Sequence, residues 1–167
     1  MPLTKSMSMI LDANALIDFH WLNEWAWLQD NYSPLFVSED ILGIGKLDER
    51  TKESAVKYLQ PLPLNTEEIY SLYRKFRQEF YPIATADCST LAIAKQSKLI
   101  CGTDDGKMLK ICNNYQINYI RTLQLLKEMS DTGYRTIAQV LEMKRILIED
   151  RGKWIAPDVL LDWEQSL

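Results

Sequence analysis

The chain has 167 residues, of which 47% are hydrophobic and 25% are charged. This composition is typical of an ordinary globular protein, and it excludes a disordered or low-complexity chain. The formal net charge of −4 excludes a surface that is basic all over, so any contact with nucleic acid has to be local or be assisted by a metal ion.

The first half of the chain alternates between short apolar runs and helix-forming segments. Residues 6–12 predict a buried strand that ends at Asp12, and an apolar stripe with helical spacing then predicts a helix. The stripe consists of Ile17, Trp21, Trp25 and Leu28. Residues 34–39 predict a second strand, and the charged residues 47–59 predict a helix that ends before Pro61.

The alternation continues through the second half. Residues 62–65 predict a third strand, and Asn65 with Glu68 resembles a capping box that begins an amphipathic helix ending near Pro82. The next predicted elements are a helix at 85–97, a strand at 98–102, a helix at 104–115 and a strand at 117–120. Helical segments follow at 122–129, 136–151 and 156–167. This order predicts an α/β fold with three α/β/α layers, a central parallel sheet and a C-terminal helical extension.

We expect one domain in the cytoplasm. No linker or repeat divides residues 1–167, which predicts a single domain with its core at about 7–126 and a helical tail at about 127–167. The three cysteines lack CxxC spacing and are expected to be reduced core thiols. No segment has the length of a membrane span or the pattern of a signal peptide.

Carboxylates follow several predicted strands. They are Asp12 after the first strand, Glu39 and Asp40 after the second, and Asp104 and Asp105 after the strand at 98–102. Because the carboxyl ends of parallel strands meet at one edge of a sheet, these acids are expected to converge, together with Asp87 from the helix at 85–97. Converging carboxylates repel one another, and a bound hard divalent cation, Mg²⁺ or Mn²⁺, usually offsets this repulsion. Such a site can activate water and neutralise a scissile phosphate.

Each acid also has a structural interpretation. Asp and Asn after a strand are common turn and cap formers, and Asp105 followed by Gly106 is a turn signal in its own right. The joint pattern is therefore more specific than any one of its members.

Three motifs resemble those of the PIN domain, a metal-dependent ribonuclease fold used by the VapC-like toxins of many bacterial and archaeal toxin–antitoxin pairs. The motifs are "ILDANALIDF", "ADCSTLAIAKQ" and "KLICGTDDGKMLKIC". The resemblance covers about residues 7–126, and the tail after it is similar to the C-terminal extension of toxin-like members.

The resemblance implies a set of site residues and partners. Asp12 would be the first metal ligand, Asn14 its hydrogen-bonding companion, and Asp87 the ligand from the central helix. The last part of the site would be formed by Thr103, Asp104 and Asp105, and either of the two aspartates could be the metal ligand. The implied activity is an Mg²⁺- or Mn²⁺-dependent endoribonuclease in which a metal-bound water attacks an RNA phosphodiester. The implied partners are RNA, a small antitoxin and a second copy of the chain.

The chain departs from the family's pattern at one position. The family usually has a glutamate about six residues after the second strand, where this chain has Ile44 or Gly45. The nearest alternative carboxylates are Glu39, Asp40, Asp48 and Glu49, of which Glu39 is taken as a weak candidate ligand. A second hypothesis follows, in which the domain is catalytically degenerate and acts as an RNA- or protein-binding module.

Other acidic α/β enzymes fit the sequence less well. A phosphatase of the haloacid dehalogenase type would have Asp-x-Asp after the first strand, where this chain has Asp12-Ala-Asn14. A response-regulator receiver would have its paired acids after the first strand, whereas they occur here past residue 100. The single histidine, His20, excludes a two-histidine ribonuclease mechanism within one chain.

The tryptophans suggest an interface. Trp21 and Trp25 lie on the apolar stripe and are expected in the core, whereas Trp27 lies off it. An extra large aromatic side chain of this kind is typical of a subunit or partner interface, and we expect Trp27 to lie at one.

Overall fold

The computed structural model describes residues 7–43 and 47–167 of the chain. The strands are β1 (Met9–Leu11), β2 (Leu35–Ser38), β3 (Gln60–Leu62), β4 (Ile100–Gly102) and β5 (Tyr119–Ile120). The helices in the first half are α1 (Ala13–Leu22), α2 (Trp25–Asn31), α3 (Glu39–Gly43), α4 (Glu49–Tyr58) and α5 (Glu67–Glu79). Those in the second half are α6 (Thr85–Ser97), α7 (Gly106–Tyr115), α8 (Thr122–Asp131), α9 (Ile137–Arg145) and α10 (Pro157–Ser166), with a π-helical turn, Ile146–Asp150, after α9.

The sheet has the order β3-β2-β1-β4-β5, and each pair of neighbouring strands is parallel. Met9 of β1 lies opposite Leu35 on one side and Ile100 on the other, so β1 occupies the centre. The chain moves outward from β1 to β3 and then returns to β4 on the opposite side. A crevice forms at such a reversal, beyond the carboxyl ends of the strands, and ligands of open α/β sheets bind there.

Helices cover both faces of the sheet. Met9 and Leu11 of β1 join a core formed with α1, α2, α4, α8, α9 and α10. Ile10, between them in the sequence, points to the opposite face and packs with α5, α6 and α7. Because alternate strand residues face opposite sides of a sheet, the fully apolar β1 is buried on both sides. The predicted three-layer α/β/α fold is confirmed.

The first predicted helix is broken in the structure. Asn23 ends α1 in a left-handed conformation with φ of 52°, and α2 begins at Trp25. The buried face of α1 contains Leu16, Phe19 and Leu22, so Trp21 is 46% exposed. The break resets the helical phase for α2, where Trp27 is only 4% exposed. The prediction that placed Trp21 in the core and Trp27 at an interface is therefore wrong.

The third strand and the following cap lie a few residues earlier or later than predicted. The strand is Gln60–Leu62 instead of 62–65, and it lies at the edge of the sheet, where the missing N–H of Pro61 is tolerated. The cap of α5 is Thr66, whose hydroxyl accepts a hydrogen bond from the Ile69 N–H at 3.1 Å. Thr66 supplies the oxygen that was expected from Asn65.

The other predicted elements agree with the structure. The helix α6 has the predicted bounds, and the tail is helical from α8 to α10. The cysteines Cys88, Cys101 and Cys112 are buried and free. Among the helices of the described ranges, none is long and apolar enough to cross a membrane. Ile44 and Gly45, where the family's second carboxylate was expected, lie outside the described residues.

Candidate functional site

Asp12 lies at the carboxyl end of β1 and caps α1. Its Oδ1 accepts a hydrogen bond from the Ala15 N–H at 2.8 Å, and its Oδ2 accepts one from the Thr103 hydroxyl at 2.5 Å. Its own N–H donates to the Gly102 carbonyl at 3.1 Å. Asp12 therefore joins the two central strands at the crevice, and both of its carboxylate oxygens are held in fixed positions.

The environment of Asp12 opposes its negative charge. The residue is 2% exposed, and burial is the main reason that its pKa is raised from 3.8 to about 7. The hydrogen bonds from Thr103 and Ala15 lower the pKa, whereas the charges of Asp87 and Asp104 raise it. A carboxylate in this situation gains stability from a bound cation, because a cation favours its ionised form.

Asp87 approaches Asp12 from the helical layer on the other face of the sheet, and we call the site formed by these two carboxylates the acidic corner. It lies in the first turn of α6 and is half-buried, and its charge acts on Asp12. The helix macrodipole favours a negative charge at this end of α6. Two carboxylates from separate layers of the fold therefore face one another across the end of the sheet.

Thr103 and Asp105 organise the loop after β4. Thr103 is buried, and its hydroxyl oxygen accepts a hydrogen bond from the Asp105 N–H at 3.1 Å while its O–H donates to Asp12. Asp105 caps α7, with Oδ1 accepting from the N–H groups of Lys107 and Met108, both at 2.9 Å. Asp105 therefore has a structural role, because it caps α7 and its N–H holds Thr103.

Asp104 is engaged by two cations. Arg121 Nε donates to its Oδ1 at 3.0 Å, and Lys153 Nζ lies 2.9 Å from its Oδ2. Burial alone would raise the pKa of Asp104, but Lys153 and Arg121 outweigh burial and hold this pKa below its ordinary value. Asp104 is therefore ionised and already neutralised by the protein.

Lys153 belongs to a buried ion network that sequence reasoning missed. Its Nζ lies 2.6 Å from Asp18 Oδ2, and Asp18 is fully buried on α1. Arg151 Nε lies 2.8 Å from Asp18 Oδ1 in an ion pair that lacks hydrogen-bond geometry, and the Thr122 hydroxyl donates to Asp18 Oδ2 at 2.7 Å. The available signal was the single carboxylate of Asp18 among the apolar residues of the first helix. No motif in the sequence indicates a role for Asp18, and its cationic partners Arg151 and Lys153 lie in the distant tail.

Two of the remaining predicted site residues, Asn14 and Glu39, are exposed to solvent. Asn14 is exposed at the start of α1, and its carbonyl accepts a hydrogen bond from Arg151 at 3.3 Å. Glu39 is exposed at the start of α3, and the Asp40 N–H donates to the Ser38 hydroxyl at 3.2 Å. The hydrogen bonds that hold Asp12 come from Ala15 and Thr103, and the charges that act on it include those of Asp87 and Asp104.

A pocket of about 300 Å³ opens beside these acids. Its charged lining consists of Asp104, Asp105, Arg121, Arg151 and Lys153. The rest of the lining includes Asn14 and the segment that joins the π-helical turn to α10. Two of the predicted acids, Asp104 and Asp105, thus share this opening with three cations, whereas Asp12 and Asp87 are not part of its lining.

The donor set at the corner fits a hard divalent cation of the Mg²⁺ class. Such ions prefer oxygen ligands, and Mg²⁺ is usually held by one or two carboxylates, with waters and substrate phosphates completing its shell. Asp12 and Asp87 supply that number of carboxylates. Within residues 7–43 and 47–167, no group of three or more His, Cys, Asp or Glu side chains is arranged to hold a metal ion. The ion pairs of Asp104 with Arg121 and Lys153 explain why a third carboxylate does not join the set.

The raised pKa of Asp12 predicts an unusual pH dependence of stability in the absence of divalent ions. Because the folded-state value of about 7 lies above the ordinary value of 3.8, the folded state retains a proton that the unfolded state releases. The stabilisation is complete below about pH 4 and is lost as the pH rises to about 7. An Asp12→Asn variant stays neutral throughout, so its advantage in thermal stability over the wild type should grow across this range and then level off. Thermal unfolding in EDTA at several pH values measures this difference, and a constant difference would contradict the prediction.

A family model described as a PIN domain matches residues 8–166. The crystal structure of PAE2754 from Pyrobaculum aerophilum aligns with a TM-score of 0.53 and 16% identity, covering 75% of this chain and 98% of that chain. The structure of FitAB bound to an IR36 DNA fragment gives a TM-score of 0.47 and 22% identity, covering 68% of this chain and 94% of that chain. No curated protein matches the sequence.

The family match includes the helical extension as well as the sheet, because it continues to residue 166. The alignment with PAE2754 agrees with the fold over 75% of this chain. The resemblance seen in the three sequence motifs is confirmed. The chain belongs to the PIN-domain family.

Proposed function

We propose that this protein is an Mg²⁺- or Mn²⁺-dependent endoribonuclease that hydrolyses phosphodiester bonds in RNA. PIN domains are generally nucleases. The observation that carries the proposal is the buried Asp12 carboxylate, which is held by two hydrogen bonds and destabilised in its charged form by burial and by Asp87. Residues with strongly perturbed pKa values in a cleft are typical of functional sites.

The residues of the corner have separate parts in this mechanism. Asp12 and Asp87 would hold the divalent ion, which when bound supplies charge neutralisation at the phosphate and a water of lowered pKa. Thr103 and the Ala15 N–H fix the orientation of Asp12, so that its oxygens need no reorganisation during the reaction. Asp105 holds Thr103 through its backbone N–H and begins α7.

The cations of the tail would act on the substrate side of the corner. Lys153 and Arg121 hold Asp104 in place and bring positive charge to the opening. In the low dielectric of a partly buried site, this charge attracts the phosphate backbone more strongly than a surface lysine would. Asp104 is thus a positioning residue in this proposal, acting through the two cations.

We further propose that the protein is the toxin of a toxin–antitoxin pair, that it forms a homodimer, and that a small antitoxin protein binds it. The support is the likeness of the tail to the C-terminal extension of toxin-like members. Growth arrest on expression tests the toxin role, and light scattering after gel filtration tests the dimer. Normal growth during expression of the folded wild type, or a monomer at micromolar concentration, would contradict the respective part.

A degenerate binding module is the second candidate function. The observation that favours it is the neutralisation of Asp104 by Arg121 and Lys153, which occupies one of the carboxylates expected to bind a metal ion. A domain of this kind would bind RNA or protein and would leave RNA uncut.

Metal-dependent cleavage of single-stranded RNA distinguishes the two candidates. The purified protein is first treated with EDTA and then assayed with added Mn²⁺ or Mg²⁺. We expect cleavage only when the ion is restored, because carboxylates without a cation cannot neutralise a scissile phosphate. Cleavage that persists in EDTA would overturn the metal mechanism. Binding of Mn²⁺ without any cleavage would favour the degenerate module.

A further inference from the structure

The segment 151–156, which joins the π-helical turn to α10, carries an exposed tryptophan. Gly152 adopts a positive φ of 79° and turns the chain at this point. Trp154 follows and is 80% exposed, whereas Trp25, Trp27 and Trp163 are buried. A single exposed aromatic side chain is ordinary, but one that lines a pocket, as Trp154 does, is typical of a binding site.

Trp154 lies at the wall of the pocket beside the acidic corner. The same pocket is lined by Asp104 and Asp105, which follow β4 at the end of the sheet. The pocket is connected to Asp12, one of the carboxylates proposed to hold the ion, because the Thr103 hydroxyl accepts from the Asp105 N–H and donates to Asp12.

The pocket also has a local excess of positive charge. Its lining contains the three cations Arg121, Arg151 and Lys153 against the two carboxylates Asp104 and Asp105, although the chain as a whole has a net charge of −4. This local reversal of sign is the charge complement of a phosphate backbone.

Arg121 is the cation best placed to contact an incoming anion. Lys153 and Arg151 are largely covered, with side chains 9% and 12% exposed, and both are paired with the buried Asp18. The side chain of Arg121 is 35% exposed, and its Nε donates to Asp104. Within residues 7–43 and 47–167, its terminal guanidinium nitrogens make no hydrogen bond, so they keep donors for a phosphate.

We propose that Trp154 and Arg121 form a nucleotide subsite for single-stranded RNA, in which an unpaired base stacks on the indole and the adjoining phosphate contacts the guanidinium. This subsite rests on the proposed ribonuclease function and deepens it. An indole face and a nearby cation are the two components by which proteins hold single strands without reading their sequence. Paired bases in a duplex cannot present their faces to an indole, so the site selects unpaired RNA.

Fluorescence anisotropy of a labelled single-stranded RNA, measured in EDTA so that the RNA stays intact, tests the proposal. Trp154→Ala should weaken RNA binding by about tenfold, and Trp154→Phe should restore most of the affinity, because a phenyl ring still stacks. Arg121→Gln should weaken binding and reduce its dependence on salt concentration. Trp21→Ala is the matched control, since Trp21 is also exposed but does not line the pocket, and it should leave the affinity unchanged.

The outcomes separate failure of the subsite from failure of the proposed function. Metal-dependent RNA cleavage by the wild type together with unchanged affinity in Trp154→Ala would overturn the subsite alone. Absence of both binding and cleavage in the wild type would overturn both. Equal affinity for duplex and single-stranded RNA would contradict stacking, and a preference for single-stranded DNA would contradict the assignment to RNA. If Trp154→Ala altered the oligomeric state and left RNA affinity unchanged, the exposed indole would be a protein interface and the subsite would be rejected.

Discussion

Replacing Asp12 with asparagine should reduce metal-dependent RNA cleavage by about 100-fold or more while leaving the protein folded. Loss of a residue that only supports a metal ligand typically costs about 10- to 100-fold, so loss of a charged ligand itself should cost at least the upper figure. Asparagine can still cap α1, because its side-chain oxygen accepts the Ala15 N–H as aspartate does. A cleavage assay in Mn²⁺, with circular dichroism to verify folding, measures the effect.

Two further variants make this result specific. Asp87→Asn should have a similar effect, since Asp87 would hold the proposed ion together with Asp12. Asp131→Asn is the control, because it makes the same chemical change at an exposed carboxylate of α8 that is paired with Lys127 and is not among the candidate ligands. Full activity in Asp12→Asn, or an equal loss in Asp131→Asn, would exclude Asp12 as a metal ligand.

Replacing Asp18 with asparagine should lower the free energy of unfolding by about 3 kcal/mol, because it removes the charge that Arg151 and Lys153 share inside the protein. Removing one partner of a buried ion pair is costly, since the opposite charge stays buried without compensation. Lys153 keeps its pairing with Asp104, which places the expected effect at the lower end of the usual range of about 3–5 kcal/mol. Unfolding in urea, followed by circular dichroism, measures the difference.

An exposed ion pair provides the comparison. Asp131→Asn removes the partner of Lys127 on the surface of α8, where both side chains are in contact with solvent. Pairs of this kind contribute at most about 1 kcal/mol. If Asp18→Asn proved no more destabilising than Asp131→Asn, the buried network would have no part in anchoring the 151–156 segment to α1.

The prediction for Asp18 also connects stability with the pocket. Asp18 holds Lys153 and Arg151, and these two cations hold the segment that carries Trp154. Loosening the network should therefore weaken RNA binding as well as stability, since the indole would lose its fixed position. The two effects are separable, because Trp154→Ala changes only an exposed side chain.

Local patterns in the sequence were sufficient to predict much of the fold. The alternation of short apolar runs with amphipathic segments predicted the parallel sheet, and α6 has the predicted bounds of Thr85–Ser97. Strand length, helical periodicity and capping are decided by residues within a few positions of each other, so they can be seen in one sequence. The position of Asp12 after β1 belongs to this class, and the PIN resemblance depended on it.

Other features required the tertiary structure. Trp21 is exposed because α1 buries the face that contains Leu16, Phe19 and Leu22, and Trp27 is buried because the left-handed Asn23 resets the helical phase before α2. Nothing in the spacing of the apolar stripe distinguishes a continuous helix from two helices with a break, because both satisfy the pattern over short windows.

The charge balance of the site was the feature that could least be predicted from the sequence. Asp12 could be placed at the end of its strand by local rules, but its raised pKa depends on burial by the layers around it. Lys153 and Asp18 are 135 positions apart, and only the packing of the tail against α1 brings them to 2.6 Å. The sequence by itself therefore determined the fold class and the acids at the end of the sheet. The tertiary structure decided which acids are neutralised by the protein's own cations, because the pairing of charges depends on distance in space and not on separation along the chain.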